Sequence, residues 1–140
     1  MEKMEKKIFF DHEKLFVYQR GLEVIEFFEI IFEKGIGSSY KGQLERASSS
    51  IVHNIAEGNG KYTSKDRCKY FDIARGSALE CASGLDIQYR KKMISLEELY
   101  EGKSLLKEVV SMIVGLIKNN STDRVYDSSV DYRAGDEEQE

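Results

Sequence analysis

Apolar residues recur along this chain at steps of three and four, the period of a helix with one buried face. Leu15, Tyr18, Leu22, Ile25, Phe28 and Phe32 form the first such stripe. Val17, Val24 and Ile31, seven apart, widen it, so this helix is expected to touch more than one neighbour. Asp11 reads as its N-cap, with Phe10 and Leu15 at the spacing of a hydrophobic staple. Gly35-Ile36-Gly37-Ser38 ends it.

A second stripe, Leu44, Ala47, Ile51 and Ile55, predicts a helix from Ser39 to Glu57. Gly58 or Gly60 is placed to close it in the left-handed conformation. Thr63-x-x-Asp66 then resembles a capping box opening a third helix, which should run to Lys92 along Phe71, Ala74, Ala78, Cys81 and Leu85. The second and third helices are rich in Gly, Ala and Ser. Small side chains let two helix axes approach closely, which predicts a tight antiparallel hairpin and would offset the helix-propensity cost of Gly76 and Gly84. Ser95-x-x-Glu98 is a full capping box, stapled by Ile94 and Leu99. Leu96, Leu99, Leu106, Val110, Ile113 and Ile117 carry the fourth stripe. Lys103 interrupts it, with its stem packed and its ammonium in water. Four helices with short links predict an all-α, antiparallel up-down-up-down four-helix bundle.

Composition agrees. The chain has 140 residues, no proline, 41% apolar and 33% charged residues, which suits one soluble globular domain. Residues 1–10 read as an N-terminal extension, 11–120 as the bundle and 121–140 as an acidic, disordered tail. The tail carries seven acids against two bases, a charge of −5, so within the net charge of −4 the body is left near +1, close to neutral. Cys68 and Cys81 are 13 residues apart, roughly 20 Å along one helix and far beyond bridging distance. Reduced cysteines fit the cytoplasm. "MEKMEKKIFF" lacks the apolar core of a signal peptide, and no apolar run reaches the roughly 20 residues of a membrane span.

Little of the chain suggests catalysis. Gly58-Asn59-Gly60 before Lys61 is no phosphate cradle, because a helix and not a strand precedes it. His12 and His53 have no second ligand at metal spacing, and Cys68, near a helix start, has no base beside it in sequence. No cofactor, metal or catalytic residue is therefore expected. Asn54 and Glu57 on the second helix, with Arg75 on the third, read as a structural polar network in which Arg75 holds the Glu57 carboxylate. Lys61, Lys65, Arg67 and Lys69 cluster about the second turn beside Tyr62 and Tyr70, and Arg90, Lys91 and Lys92 end the third helix. Such groups can neutralise phosphates, with tyrosines available to stack on bases. A solvated surface is the plainer reading of the same charges.

Three motifs bring a resemblance. They are Gln43, Leu44, Arg46 and Ala47; Ser50, Ile51, Asn54, Ile55, Ala56, Glu57, Gly58 and Gly60; and Ile73, Ala74, Arg75, Gly76 and Ser77. In this pattern the chain resembles the four-helix-bundle proteins encoded in 23S rRNA intervening sequences, from Leu15 to Lys118. Val52 stands where many members have proline, so the second helix should lack that kink. Arg67 stands where phenylalanine is usual, which should weaken a packing contact or expose the turn. The resemblance implies a non-enzymatic bundle that assembles as a ring-shaped homopentamer. It also implies kinship with the accessory variability determinant of diversity-generating retroelements, which binds nucleic acid and a reverse transcriptase. The function expected is an accessory protein binding RNA or a nucleoprotein. The alternative is a protein-interaction module that docks a partner such as a reverse transcriptase, motivated by Val17, Val24 and Ile31 lying outside a single seam.

Overall fold

The computed structural model describes residues 7–120. Four helices follow one another: α1 (Phe16–Phe32), α2 (Ser38–Asn59), α3 (Ser64–Arg90) and α4 (Leu96–Asn119), with no strand among the described residues. Each helix packs on its sequence neighbours and α1 closes on α4, while the diagonals α1–α3 and α2–α4 stay apart. Short links and this cyclic order make an antiparallel up-down-up-down bundle. None of the described helices is long and apolar enough to cross a membrane. The expected extension overlaps the described residues only at 7–10, and the acidic tail lies outside them.

The core of α3 follows its sequence stripe: Phe71, Ala74, Ala78, Cys81 and Leu85 are wholly buried. Leu44, Ala47, Ile51 and Ile55 of α2 face them. In α1 the buried face is turned from the expected stripe. Val17, Val24 and Ile31 lie at its centre, no more than 3% exposed, while Leu22 and Ile25 are half-buried. Gly21 explains the turn. A Cβ there would stand 2.7 Å from Cγ1 of Val52, so α1 presents its glycine to α2. The residues three and four positions away along that line face inward with it. As the widened stripe predicts, α1 touches two neighbours, α2 and α4, and between them the bundle covers all three residues. Val52 lies within an unbroken α2, in keeping with the absence of proline.

The helix ends are set locally. Both arms of the α4 capping box form: Ser95 Oγ accepts from the Glu98 amide at 3.1 Å, and Glu98 Oε1 accepts from the Ser95 amide at 2.8 Å. Ile94 and Leu99 are buried as a staple requires, although Leu96 points outward. Lys103 keeps its ammonium at the surface and pairs with Asp86 at 2.8 Å. At α3 only one arm forms, Thr63 Oγ1 accepting from the Asp66 amide.

Two end assignments are corrected. Asp11 does not cap α1: it lies in a 3-10 turn, Asp11–Lys14, and α1 starts after extended Leu15 with no side-chain cap. Its carboxylate is instead taken by Asn59 Nδ2 at 3.1 Å and Lys14 Nζ at 3.5 Å, and Phe10 is exposed rather than stapled. Nor does a left-handed glycine close α2. Gly60 has φ −87°, and Gly58 is helical and buried, where a Cβ would meet the Phe71 ring at 2.8 Å. Among the described residues the left-handed glycine is Gly35, φ +93°, in the turn after α1.

Candidate nucleic-acid interface

The α2–α3 seam sets the register from which the candidate residues must be judged. Ser77 Oγ donates to Ser50 Oγ at 2.7 Å, Gly84 lies against Leu44, and Gly58 lies against Tyr70 and Phe71. Asn54 belongs to this seam: its Nδ2 donates to the carbonyl of Ser50 at 2.8 Å and to Ser50 Oγ at 3.0 Å. The Glu57–Arg75 pair does not form. Glu57 is exposed and no hydrogen bond or ion pair joins it to Arg75. The cause is helical phase. At about 100° per residue, Ser77 faces the α2 flank of α3, while Arg75 shares the opposite flank with Leu79 and Ala82, toward α4. The fastener across the seam is therefore Asn54–Ser50–Ser77. Gly84 meets the close-packing expectation, whereas a Cβ on Gly76 would meet nothing within 4 Å.

The basic residues fall at two ends. Lys61, Lys65, Arg67 and Lys69 surround the α2–α3 turn, and Arg90, Lys91 and Lys92 mark the far end of α3. From Lys65 to Arg90 the helix spans roughly 38 Å at 1.5 Å per residue, so one molecule has two separate basic sites. At the first end Lys65 and Lys69 are exposed, and the Lys61 ammonium sits over the Tyr70 ring, 4.9 Å from its centre. Tyr70 is thereby occupied, whereas Tyr62 is wholly exposed. At the far end Lys91 lies 5.9 Å from the Tyr40 ring centre, and Lys92 has φ 63° in the link to α4.

Arg67 does not join the exposed lysines. Its Nη1 donates to the carbonyls of Asn59 and Lys61 at 2.8 and 3.1 Å. Its Nη2 reaches Asn59 Oδ1 at 3.2 Å and its Nε reaches Asn120 Oδ1 at 2.9 Å. One guanidinium thus ties the end of α2, the turn and the end of α4 together. At this position a planar five-donor group satisfies the carbonyls of the turn.

The other reactive groups have structural places. Cys81 is buried, which with the nearby Glu80 pushes its thiol up to about 12, so the nucleophilic thiolate is suppressed. Cys68 is buried and its Sγ lies 3.7 Å from the carbonyl oxygens of Ile117 and Asn120. His12 stands edge-on to Tyr18 at 4.6 Å, and His53 is exposed. Among the described residues no group of three or more His, Cys, Asp or Glu could hold a metal.

The stripes did not reveal two grooves that flank α4. Between α1 and α4 an open groove of about 580 Å³ is lined by Glu23, Glu26, Glu101 and Glu108 around Ile30. Arg20 bridges its rim, 2.6 Å from Glu23 and 3.2 Å from Glu108. Between α3 and α4 a second groove of about 510 Å³ is lined by Leu79, Tyr100 and Val110 with Lys103 and Lys107. The signal that was available is the set of apolar residues off the helical stripe, Ile30, Leu79 and Tyr100 among them, all exposed.

The family model described as 23S rRNA-intervening sequence protein matches residues 13–115. A similar solved structure is that of a protein of unknown function from the S23 ribosomal protein family of Bacteroides thetaiotaomicron. It is 21% identical, with a TM-score of 0.67, and the match covers 73% of this chain and 98% of that chain. At that identity the likeness speaks for the bundle fold. No curated protein matches the chain at a significant level.

Proposed function

We propose, from the premise that this chain belongs to the 23S rRNA-intervening sequence protein family, that it is a non-enzymatic, self-assembling accessory protein that binds RNA or a nucleoprotein. The observation that carries the reading is the α2–α3 turn. It presents Lys61, Lys65 and Lys69 at one end of a near-neutral body, while Arg67 spends its donors on holding that turn in shape. A braced turn fixes the lysines' spacing, and repetition around an oligomer would multiply a modest basic site. Arg90, Lys91 and Lys92 form a second phosphate site at the opposite rim. Burial of both cysteines supports the non-enzymatic reading, and reduced cysteines suit the cytoplasm.

The two grooves beside α4 support self-assembly. One is acidic and the other contains lysines, and both have apolar floors. Adjacent faces of a square bundle meet at about 90°, so pairing the α1–α4 face of one copy with the α3–α4 face of the next turns each copy. Such turning closes a ring of about four or five. Five is the number that the family resemblance favours.

Titration of fluorescent RNA at two salt concentrations tests the reading. Binding should weaken with salt, and replacing Lys61, Lys65 and Lys69 by Gln should both lower affinity and flatten the salt slope by about 0.7 per lost phosphate contact on a single strand. Binding that ignores salt and these changes would refute it. Native mass would test the ring, with Glu101→Lys and Lys103→Glu each breaking it.

A second reading is favoured by the α3–α4 groove, where Leu79 and Tyr100 are about half exposed: a protein such as a reverse transcriptase docks there. This would make the chain an interaction module akin to the accessory determinant of diversity-generating retroelements. The wide stripe of α1 lends it no support, since Val17, Val24 and Ile31 are buried. A partner retained after nuclease treatment would favour this reading over RNA binding.

A further inference from the structure

The residues before α1, together with Phe16 at its start, expose large aromatic surfaces. Phe9 is 76%, Phe10 65% and Phe16 82% exposed, and Tyr62 at the α2–α3 turn is fully exposed. These rings share one end of the bundle. The Asn59 Nδ2 to Asp11 Oδ2 hydrogen bond, 3.1 Å, fastens the segment bearing the phenylalanines to the turn bearing Tyr62. The segment itself is held in shape: the Phe9 amide donates to Glu13 Oε1 at 2.9 Å, and Phe10 stacks nearly parallel on His12, whose edge meets Tyr18. Leaving large apolar rings in water is unfavourable, and several of them at one end of a bundle mark a contact surface. Its neighbours indicate which kind. From Lys61 to Lys69 the chain carries four cations and one acid, and of those cations only Arg67 is consumed by backbone carbonyls.

We infer that this end of the bundle takes unpaired RNA bases on Tyr62, Phe9, Phe10 and Phe16 while Lys61, Lys65 and Lys69 hold the phosphates, so that its ligand is single-stranded and not duplex RNA. The inference rests on the RNA-binding reading above and narrows it. Bases in a duplex already stack on one another, and the A-form major groove is too deep and narrow for side chains to read. Exposed rings next to lysines are useless against such a helix beyond its phosphates. Against a single strand every base offers a free π-face, so the rings add affinity without demanding sequence.

The full chain is titrated with a fluorescent oligouridine and with an RNA duplex of equal length. The single strand should bind about tenfold or more tighter. Tyr62→Ala should weaken the single strand by about 5- to 100-fold, leaving duplex binding and the salt slope unchanged, while Tyr62→Phe retains affinity. Equal binding of both RNAs, with Tyr62→Ala silent and the lysine triple variant still weakened, would overturn this inference and leave the RNA reading intact. No binding of either RNA would overturn both. Phe10→Ala and Phe16→Ala should lower affinity at constant native mass. If they change the native mass and leave affinity alone, the patch is a subunit contact and the inference fails.

Discussion

Across the α2–α3 seam Gly84 receives Leu44 and Gly58 receives the Phe71 ring, and a pair of serine hydroxyls meets at the flank. Across the α1–α4 seam Gly102 admits Phe27, but outside that point long side chains hold the helices, and Arg20 and Glu108 join over an open groove. The first pair touches along more of its length than the second. Small residues bring helix backbones together and leave no room at the surface, whereas bulky cores keep axes apart and open a furrow along the outer edge. The family motifs fall on the close seam. The surfaces free to meet another molecule fall on the open ones, beside α4, and at the bundle ends.

The largest effect should come from filling the close seam. Gly58→Val drives a branched side chain into the Phe71 ring and the Tyr70 Cβ, and should cost about 2–3 kcal/mol in urea unfolding. Ile30→Ala, on the open flank of α1, should change monomer stability by less than about 0.5 kcal/mol. Equal costs would erase the distinction between the seams. Next, Gly76→Ala should raise stability by about 1 kcal/mol, read as a higher melting temperature, because only helix propensity changes there. A loss would mean that the small-residue stripe extends further round α3 than described.

Acid should separate the seams more gently. Glu98 at the start of α4 accepts from the Ser95 amide and pairs with Lys34 at 2.9 Å, which holds its carboxylate below the ordinary value of 4.5. A depressed carboxylate contributes its stability in full above that ordinary value and loses it as pH falls through the folded value. Protection of the amides near Lys34 and in the first turn of α4, corrected for intrinsic exchange, should therefore fall as pH drops below that ordinary value, by less than about 1 kcal/mol, with the α2–α3 seam unmoved. Glu98→Gln should remove that response. The smallest effect is the most pointed: a double-mutant cycle of Glu57→Gln and Arg75→Gln should show coupling below about 0.3 kcal/mol. A coupling near 1 kcal/mol would restore the pair that the structure separates.

The stripes of α2 and α3, the capping box at Ser95 and the order of four helices were legible because they depend on residues close in sequence. The face of α1 was not. A glycine counts for nothing in an apolar stripe, yet Gly21 decided which side of α1 meets Val52. Arg67 read as one more surface cation because its four oxygen partners come from Asn59, Lys61 and Asn120, the last at the far end of α4 in sequence. Asp11 read as a cap for the helix beside it, but Asn59, 48 residues away, was the partner. Phe9, Phe10 and Phe16 stood outside any helical period. That irregularity was the available sign of a surface role, though not of Tyr62 at the same end.

Periodicity, capping residues and the absence of proline determined by themselves that this chain makes four helices and a bundle, because helix formation and amphipathic burial are short-range properties of the sequence. Tertiary structure alone decided the register of α2 on α3 and hence that Arg75 turns toward α4, away from Glu57. It also decided which cation braces the turn and which ones face the solvent. Those outcomes depend on the phase and separation of helices distant in sequence, to which a residue pattern on either helix is blind.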